Sequence, residues 1–246
     1  MEPLQYTSLV SMFFATCSRD DFGGWYQRTD GQWLPYSRDF LRDSAIYLSI
    51  ALNNRGLRPH DSVSIIAPSS PEWFIADIAT QINHAQVAPL FPNISSENFT
   101  FQCDDSGAQI LFVNTIAELD EPLHKFLPRF KLIICINPAS ELPENGIYWN
   151  NLIDEGKDLA ESNRYFSWVD DQIQSIRPDD LFSIIYTSGS LGSPKGVDLS
   201  QRNMLAQIQN LMELFPLNSE EDVCLTILPV AHILERMAVY FYMLNG

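Results

Sequence analysis

The sequence predicts an α/β fold, a mostly parallel sheet with flanking helices. Three observations carry that prediction. Short apolar runs of strand length alternate with amphipathic stretches of about ten to fifteen residues, the pattern of strands joined by helical crossovers. The amphipathic stretches bring their own boundary signals: Ser37 and Ser200 as N-caps, Pro71 at a helix start and Gly56 as a stop. Of the 246 residues, 46% are hydrophobic, enough for one sizeable core or two small ones.

The elements follow in order. After Ser37, an apolar face of Phe40, Leu41, Ile46, Leu48 and Leu52 predicts a helix. Ser62–Ala67 reads as a strand. Pro71–Ala85 is helical, with Trp73, Phe74, Ala76, Ile78 and Ile82 on its core stripe, and Gln86–Phe91 is the next strand. Ser95–Asp105 is helical and Gln109–Val113 a strand; Ile116–Phe126 is helical and Lys131–Ile136 a strand. Pro, Glu, Asn and Gly gather at 138–146 and mark a loop. A helix is expected over Trp149–Glu155, with Asp154, Glu155, Asp158 and Glu161 on a solvated face. Asp170 and Asp171 read as surface residues. Leu181–Ile185 is strand-like, and after Ser200 a helix places Met204, Leu205, Ile208, Leu211, Met212 and Phe215 on one side. Ala238–Leu244 is a last apolar helix. No internal repeat is visible.

Composition narrows the function. A net charge of −16 argues against nucleic-acid binding, which depends on Lys and Arg neutralising phosphates. Cys17, Cys103, Cys135 and Cys224 show no metal-ligand spacing, and Cys135 and Cys224 fall in strand-like runs; all four read as buried reduced thiols. The apolar patch Leu9–Ala15 has no basic segment before it and Glu2 precedes it, so it is not a signal peptide. The apolar stretch Val230–Leu244 is too short to span a bilayer. A cytoplasmic protein, able to sit peripherally at a membrane, is expected.

The chemistry is written in Tyr186-Thr-Ser-Gly-Ser-Leu-Gly-Ser-Pro-Lys-Gly196, directly after the strand-like run. Backbone N–H groups and hydroxyls of such a segment can face phosphate oxygens while the lysine neutralises charge. By its residues alone it reads as a polyphosphate cradle or as a surface turn. It is not a Walker A loop. That motif needs Gly-Lys-Ser/Thr at a helix start, and here Pro194 precedes Lys195, offers no N–H and pushes Ser193 to an extended conformation. Lys195 is therefore expected on an extended or turn segment, with the next helix beginning only at Ser200.

The segment resembles the signature of the AMP-forming acyl-CoA synthetase superfamily, Tyr-Thr-Ser-Gly-Ser/Thr-Thr-Gly-x-Pro-Lys-Gly-Val. Positions 186–197 match at every fixed place except Leu191, where threonine is expected. Asp198-Leu-Ser-Gln-Arg-Asn203 is similar to the family's continuation, with Gln201 in place of histidine. Leu228-Pro-Val-Ala-His-Ile-Leu-Glu-Arg236 is similar to the Leu-Pro-Leu-x-His-x-x-Glu-Arg element of long-chain fatty acyl-CoA ligases. Upstream, Asp30-Gly-Gln-Trp33, Tyr36–Phe40, Ser70-Pro-Glu-Trp73 and Val87–Pro92 follow the same pattern. So does Leu52–Val63, with His60 replacing a glycine.

The resemblance implies that residues 1–246 are an incomplete, N-terminal portion of the large adenylation domain. The family's Tyr-Gly-x-Thr-Glu element, its ribose-binding aspartate and its C-terminal lysine domain have no counterpart in this sequence. It implies a long-chain fatty acid–CoA ligase using ATP, Mg²⁺ and coenzyme A. A carboxylate attacks the α-phosphorus, pyrophosphate leaves, and the thiol of coenzyme A displaces AMP. Thr187, Ser188, Gly189, Ser190, Leu191, Gly192 and Lys195 are the implied nucleotide-binding positions, and His232 the implied catalytic residue near the acyl pocket. Ser188 and Ser190 would donate to phosphate oxygens, while Gly189 and Gly192 let the backbone approach. No metal ligand is assigned. Two other readings stand beside this one: a catalytically inactive remnant of such a ligase, and another adenylate-forming enzyme such as an amino-acid adenylation module. A second chain carrying the C-terminal part is a conceivable partner, and this chain alone is expected to be inactive.

Leu191 supplies no hydroxyl where the family pattern has one. A lost charge-assisted hydrogen bond is worth about 1.5–3 kcal/mol, or roughly one to two decades in rate if it acts in the transition state. Leu191→Thr in the complete enzyme is therefore expected to raise ATP turnover at least tenfold (~1.4 kcal/mol). Unchanged turnover would refute a role for that hydroxyl.

Overall fold

The computed structural model describes residues 5–20, 24–138, 141–161, 165–187, 194–218 and 221–245. Helix α1 (Leu9–Cys17) opens on Ser8, whose hydroxyl accepts from the Ser11 N–H while Ser11 reaches back to the Ser8 N–H. Strands β1 (Trp25–Thr29) and β2 (Gln32–Tyr36) form an antiparallel hairpin. Asp30 and Gly31 turn it with φ of 51° and 81°, the two left-handed residues of a type I′ turn. Then α2 (Arg38–Asn54), β3 (Ser62–Ile66), α3 (Pro71–Ile82), β4 (Gln86–Pro89), α4 (Ser96–Ser106) and β5 (Ala108–Val113) alternate. A short α5 (Glu121–His124) leads to β6 (Leu132–Cys135), β7 (Gly146–Tyr148), α6 (Trp149–Ala160) and α7 (Tyr165–Ser175). Strands β8 (Leu181–Thr187) and β9 (Lys195–Ser200) precede α8 (Gln201–Leu214) and α9 (Ile233–Asn245).

Seven strands make the main sheet in the order β7-β6-β5-β3-β4-β8-β9. All neighbours are parallel except β8 and β9, which run antiparallel. Alternate strand residues feed opposite faces, as the period of two requires. Val63, Ile65, Val87, Ile110, Phe112, Leu132 and Ile134 enter one core with α1, α2, α3, α6, α8 and α9. Ile66, Leu111, Val113, Ile133 and Cys135 enter a second core with Phe99 and Cys103 of α4 and Leu123 of α5. The mostly parallel, helix-flanked sheet expected from the sequence is the one observed. At Gly156 of α6, a Cβ would stand 1.9 Å from the Tyr47 carbonyl oxygen of α2, so only glycine lets these helices meet.

A polar cluster sits inside the first core. Arg236 of α9 and Asp77 of α3 are both fully buried and form a two-pronged ion pair, Nε to Oδ2 at 2.9 Å and Nη2 to Oδ1. Arg236 Nη1 also donates to Ser183 Oγ at 2.7 Å, and Ser183 donates to the Val87 carbonyl at 2.6 Å. Tyr240 donates to Asp77 Oδ2 at 2.7 Å and accepts from Gln81 Nε2 at 3.0 Å. Gln201 Nε2 donates to Gln81 Oε1, and the Leu9 N–H donates to Gln201 Oε1. The guanidinium lies 5.3 Å from the Trp73 ring and 4.7 Å from the Phe182 ring.

Several expectations need correction. The helix over Ile116–Phe126 is broken: a 3-10 turn at Ile116–Glu118 precedes the four-residue α5, because Pro122 removes an N–H donor in the middle of the span. Cys17, Cys103 and Cys135 are buried, with burial pushing Cys103 up to about 11, but Cys224 is exposed and lies in no strand. Phe40 and Phe215, placed on core faces by periodicity, are 41% and 60% exposed. Phe215 falls just past the end of α8.

Removing one partner of a buried ion pair strands the other charge and costs about 3–5 kcal/mol. Arg236→Ala and Asp77→Ala are expected to lower unfolding free energy by that amount in urea titrations. A loss below 1 kcal/mol for either would show that the pair does not organise the core.

Candidate functional site

The parallel register brings the carboxyl ends of β3, β4 and β8 to one edge of the sheet, where open α/β sheets bind ligands. The signature enters at this edge. Thr187 closes β8, Lys195 opens β9, and the two lie directly opposite in the antiparallel register, both exposed. Lys195 thus stands on a strand, as Pro194 led us to expect. Ser188, Gly189, Ser190, Leu191 and Gly192 lie outside the described residues, so the cradle itself is not placed.

The neck of the segment is well defined. Tyr186 pairs with Gly196, and its hydroxyl donates to Asp105 Oδ2 of α4 at 2.7 Å. The Phe101 ring meets the Tyr186 ring edge-on at 6.3 Å. A Cβ at Gly196 would come within 3.0 Å of Ile184 Cγ2, 3.3 Å of Tyr186 Cε1 and 3.4 Å of Asp105 Oδ2. After β9, Ser200 caps α8: its hydroxyl accepts from the Asn203 N–H at 3.3 Å, and its N–H donates to Asn203 Oδ1 at 3.0 Å. Gln201, the departure from the family's histidine, is buried and bridges Gln81 to the Leu9 N–H.

The three polar side chains of His232-Ile-Leu-Glu-Arg236 do different work. His232 is exposed at the start of α9. Its Nδ1 accepts from the Leu234 N–H at 3.3 Å, which places the proton of the neutral ring on Nε2. Its ring stands 6.5 Å from Phe91, just beyond β4. Glu235 accepts from the Ile227 N–H at 2.9 Å, and Arg236 enters the buried cluster. Ser69, beyond β3, accepts from the Val230 N–H and donates to the Leu228 carbonyl, fixing this approach to α9 on the same edge of the sheet. The described side-chain contacts of His232 do not include Thr187 or Lys195.

Sequence reasoning missed Asp77 and Asp105. Asp77 carried a signal: a carboxylate inside the apolar stripe Trp73–Ile82 needs a buried cation, and Arg236 was the one cation of its own motif. Asp105 carried none, because its partner lies in a distant segment. Among the described residues no group of three His, Cys, Asp or Glu side chains could hold a metal ion. Nor is any helix there long and apolar enough to cross a membrane.

The Tyr186 phenol is pushed well above the usual tyrosine range, first by burial and then by the hydrogen bond and charge of Asp105. A raised phenol holds its proton more tightly when folded. Its stabilisation is full below the unfolded value of about 10 and is lost as pH rises through the folded value. Tyr186→Phe is expected to flatten the decline of stability above about pH 10, read from urea midpoints against pH. An unchanged slope would contradict the shift.

Comparison with known proteins gives a consistent picture. The pattern described as "AMP-binding enzyme" matches residues 25–246. A long-chain-fatty-acid–CoA ligase of Gallus gallus, ACSBG2, is 28% identical over 230 residues, which is 88% of this chain and 29% of the ligase. An acyl-CoA synthetase structure from Brucella canis superposes with a TM-score of 0.74 at 18% identity, covering 100% of this chain and 43% of that one. The complex of VinN with L-aspartate gives 0.74 at 14% identity, covering 99% and 57%. The chain therefore spans less than a third of the curated ligase and roughly half of each solved chain, and the two structures speak for the fold alone. With nine-tenths of its length inside the family pattern, from residue 25 to residue 246, the chain belongs to the AMP-binding enzymes.

Proposed function

We propose that this chain is the N-terminal portion of an ATP-dependent, AMP-forming acyl-CoA ligase that activates a long-chain fatty acid. The observation that carries the reading is the signature Tyr186–Gly196, matched at every fixed place but Leu191 and lying where β8 leaves the sheet. The fatty-acid substrate is supported by His232-Ile-Leu-Glu-Arg236 and by the name of the Gallus gallus relative. The VinN likeness, at 14% identity, does not favour an amino acid. Leu191 is the observation that favours the second reading, a ligase descendant with impaired ATP use.

In the first step a carboxylate oxygen forms a bond to the α-phosphorus and the bond to the β-phosphate oxygen breaks. Pyrophosphate leaves with that electron pair. The chain's task is to disperse the growing negative charge. Ser188 and Ser190 hydroxyls would donate to the departing oxygens, and Thr187 and Lys195 frame them from the neck. The Lys195 ammonium stands at the base of the segment and would act as a point charge. In the second step the sulfur of coenzyme A, its proton passed to solvent, would bond to the acyl carbon while the bond from that carbon to the AMP oxygen breaks, and AMP leaves with that oxygen and its electron pair. His232, with its free Nε2–H, is proposed to contact the acyl group. Mg²⁺ is taken to enter with the nucleotide's phosphates, and no side chain described here is assigned to it. A cytoplasmic enzyme that meets its lipid substrate at a membrane surface fits this reading.

The remaining half of the adenylation domain would come from continuing chain or from a second polypeptide. Combined with that half, the chain is expected to catalyse ATP–pyrophosphate exchange that depends on a long-chain fatty acid. Lys195→Ala should lower that exchange about tenfold or more. Exchange driven by amino acids would reassign the substrate class. Absence of exchange, with Leu191→Thr failing to restore it, would overturn the assignment of ligase chemistry.

A further inference from the structure

We propose that the outer face of the β1–β2 hairpin, which carries Tyr26, Arg28, Trp33 and Pro35, is a docking surface for a phospholipid bilayer. It seats at the boundary between headgroups and acyl chains. The proposal goes beyond the function proposed above and stands on the hairpin itself.

The register sorts the side chains of the hairpin. Directly opposite residues share a face, so Tyr26↔Pro35 and Arg28↔Trp33 point one way, and Trp25↔Tyr36 and Gln27↔Leu34 the other. The second set meets the body of the molecule. The Trp25 ring stands edge-on to Phe74 at 5.2 Å. Tyr36 donates to Gln27 Oε1 at 2.9 Å, and its ring packs on Phe40 at 5.3 Å. The first set faces away: Tyr26 is 58% and Trp33 54% exposed, and Arg28 and Pro35 are exposed as well. The two strands pair only with each other. Phe40, 41% exposed despite its place in the apolar period of α2, lines one concavity with Tyr26, Pro35 and Arg38. The apolar surface thus continues from the hairpin onto the first turn of α2.

Residue type, charge and size each point to a bilayer. Trp and Tyr settle where one edge of the ring is apolar and the other wet. Arg28, opposite Trp33, can lay its stem along apolar surface and keep its guanidinium among phosphates. Residues 19–42 hold Arg19, Arg28, Arg38 and Arg42 against Asp20, Asp21, Asp30 and Asp39. That stretch is neutral, and the whole net charge of −16 lies outside it. A ribbon about 10 Å thick also exceeds the Debye length of about 8 Å, so it holds the acidic body at a screened distance from lipid. Two strands of five residues present a face of about 17 Å by 10 Å. That is far short of the roughly 800 Å² that each partner gives to a stable protein interface. Two copies at −16 also repel each other. A bilayer needs no matched area, since each ring gains by entering the interface on its own.

The test uses the 246-residue chain and vesicles of phosphatidylcholine, with and without phosphatidylserine. Partition is read by co-sedimentation, and depth by quenching of tryptophan fluorescence with brominated acyl chains. Tyr26→Ser with Trp33→Ser is expected to lower partition about tenfold or more. Leu214→Ser with Phe215→Ser, exposed at 71% and 60%, should change it by less than about twofold. Trp33→Phe should keep most of the partition and lose most of the quenching. Phosphatidylserine should not raise partition, because the chain's net charge opposes it. Failure of the unaltered chain to bind phosphatidylcholine vesicles would overturn the proposal, as would an equal loss in the Leu214 and Phe215 pair. Quenching retained in Trp33→Phe would overturn the assigned face even where the serine pair fails to fold. Self-association abolished by the same serine pair would give the face to a second copy and overturn the bilayer. None of these outcomes touches the ATP–pyrophosphate exchange that tests the ligase reading.

Discussion

A guanidinium sealed between the rings of Trp73 and Phe182 is the contact on which the arrangement of this molecule turns. Moving Arg236 and Asp77 out of water is expensive, and their attraction offsets that cost only when every remaining donor is satisfied. Here the third nitrogen, Nη1, donates to Ser183, so every nitrogen of the guanidinium has a partner, and Asp77 also accepts from Tyr240 and Gln81. The cluster draws together α1, α3, α8, α9, β4 and β8, elements that come from both ends of the chain. It supplies direction where apolar packing is indifferent. Leucine and isoleucine tolerate sliding, whereas a two-pronged ion pair does not.

That direction bears on the candidate site. Residue 183 lies four positions before Thr187 on one strand, and Arg236 lies one helical turn after His232. The ion pair therefore fixes the approach to the signature and the approach to His232 with the same atoms. The Glu-Arg pair that closes the His232–Arg236 segment acquires a physical reason. Glu235 steadies the extended approach through the Ile227 N–H, and Arg236 locks the helix to the strand.

How much of this was legible in the sequence depends on how local each cause is. Ser37, Ser70, Ser95 and Ser200 each accept from the N–H three residues on, and a hydroxyl before an apolar period is readable without a structure. The hairpin β1–β2 was missed although Asp30-Gly31 is a strong turn signal. Its strands are largely exposed, so the alternation that usually marks a strand is weak there. Residues 223–228 misled in the opposite direction. Val223, Leu225 and Ile227 look like a strand, but they are 95%, 59% and 77% exposed and join no ladder among the described residues. Strand propensity reports fit to a partner, and a run without one shows only the preference. His60 is a finer case: it stands where the family pattern has glycine and keeps the left-handed conformation, with φ of 69°. At the candidate site the motif itself was readable from the sequence. Asp77 and Asp105, the partners of Arg236 and Tyr186, were not, because each lies roughly eighty residues or more away along the chain.

The position of Lys195 follows from the same division between local and distant causes. Proline before lysine removes the N–H that a Walker loop offers there, and Lys195 opens a strand, so the ammonium does not ride on a helix dipole. Placed first on β9 and opposite Thr187, it stands at the foot of the segment and not at its far end. A lysine there has a long stem and an exposed base, and it can follow charge that moves as a phosphate bond breaks. Fixed donors suit an anion that stays in place; a leaving pyrophosphate does not. In the proposed reaction the strands would supply the rigid frame, the segment between them the close donors, and the lysine a charge able to travel with the departing group.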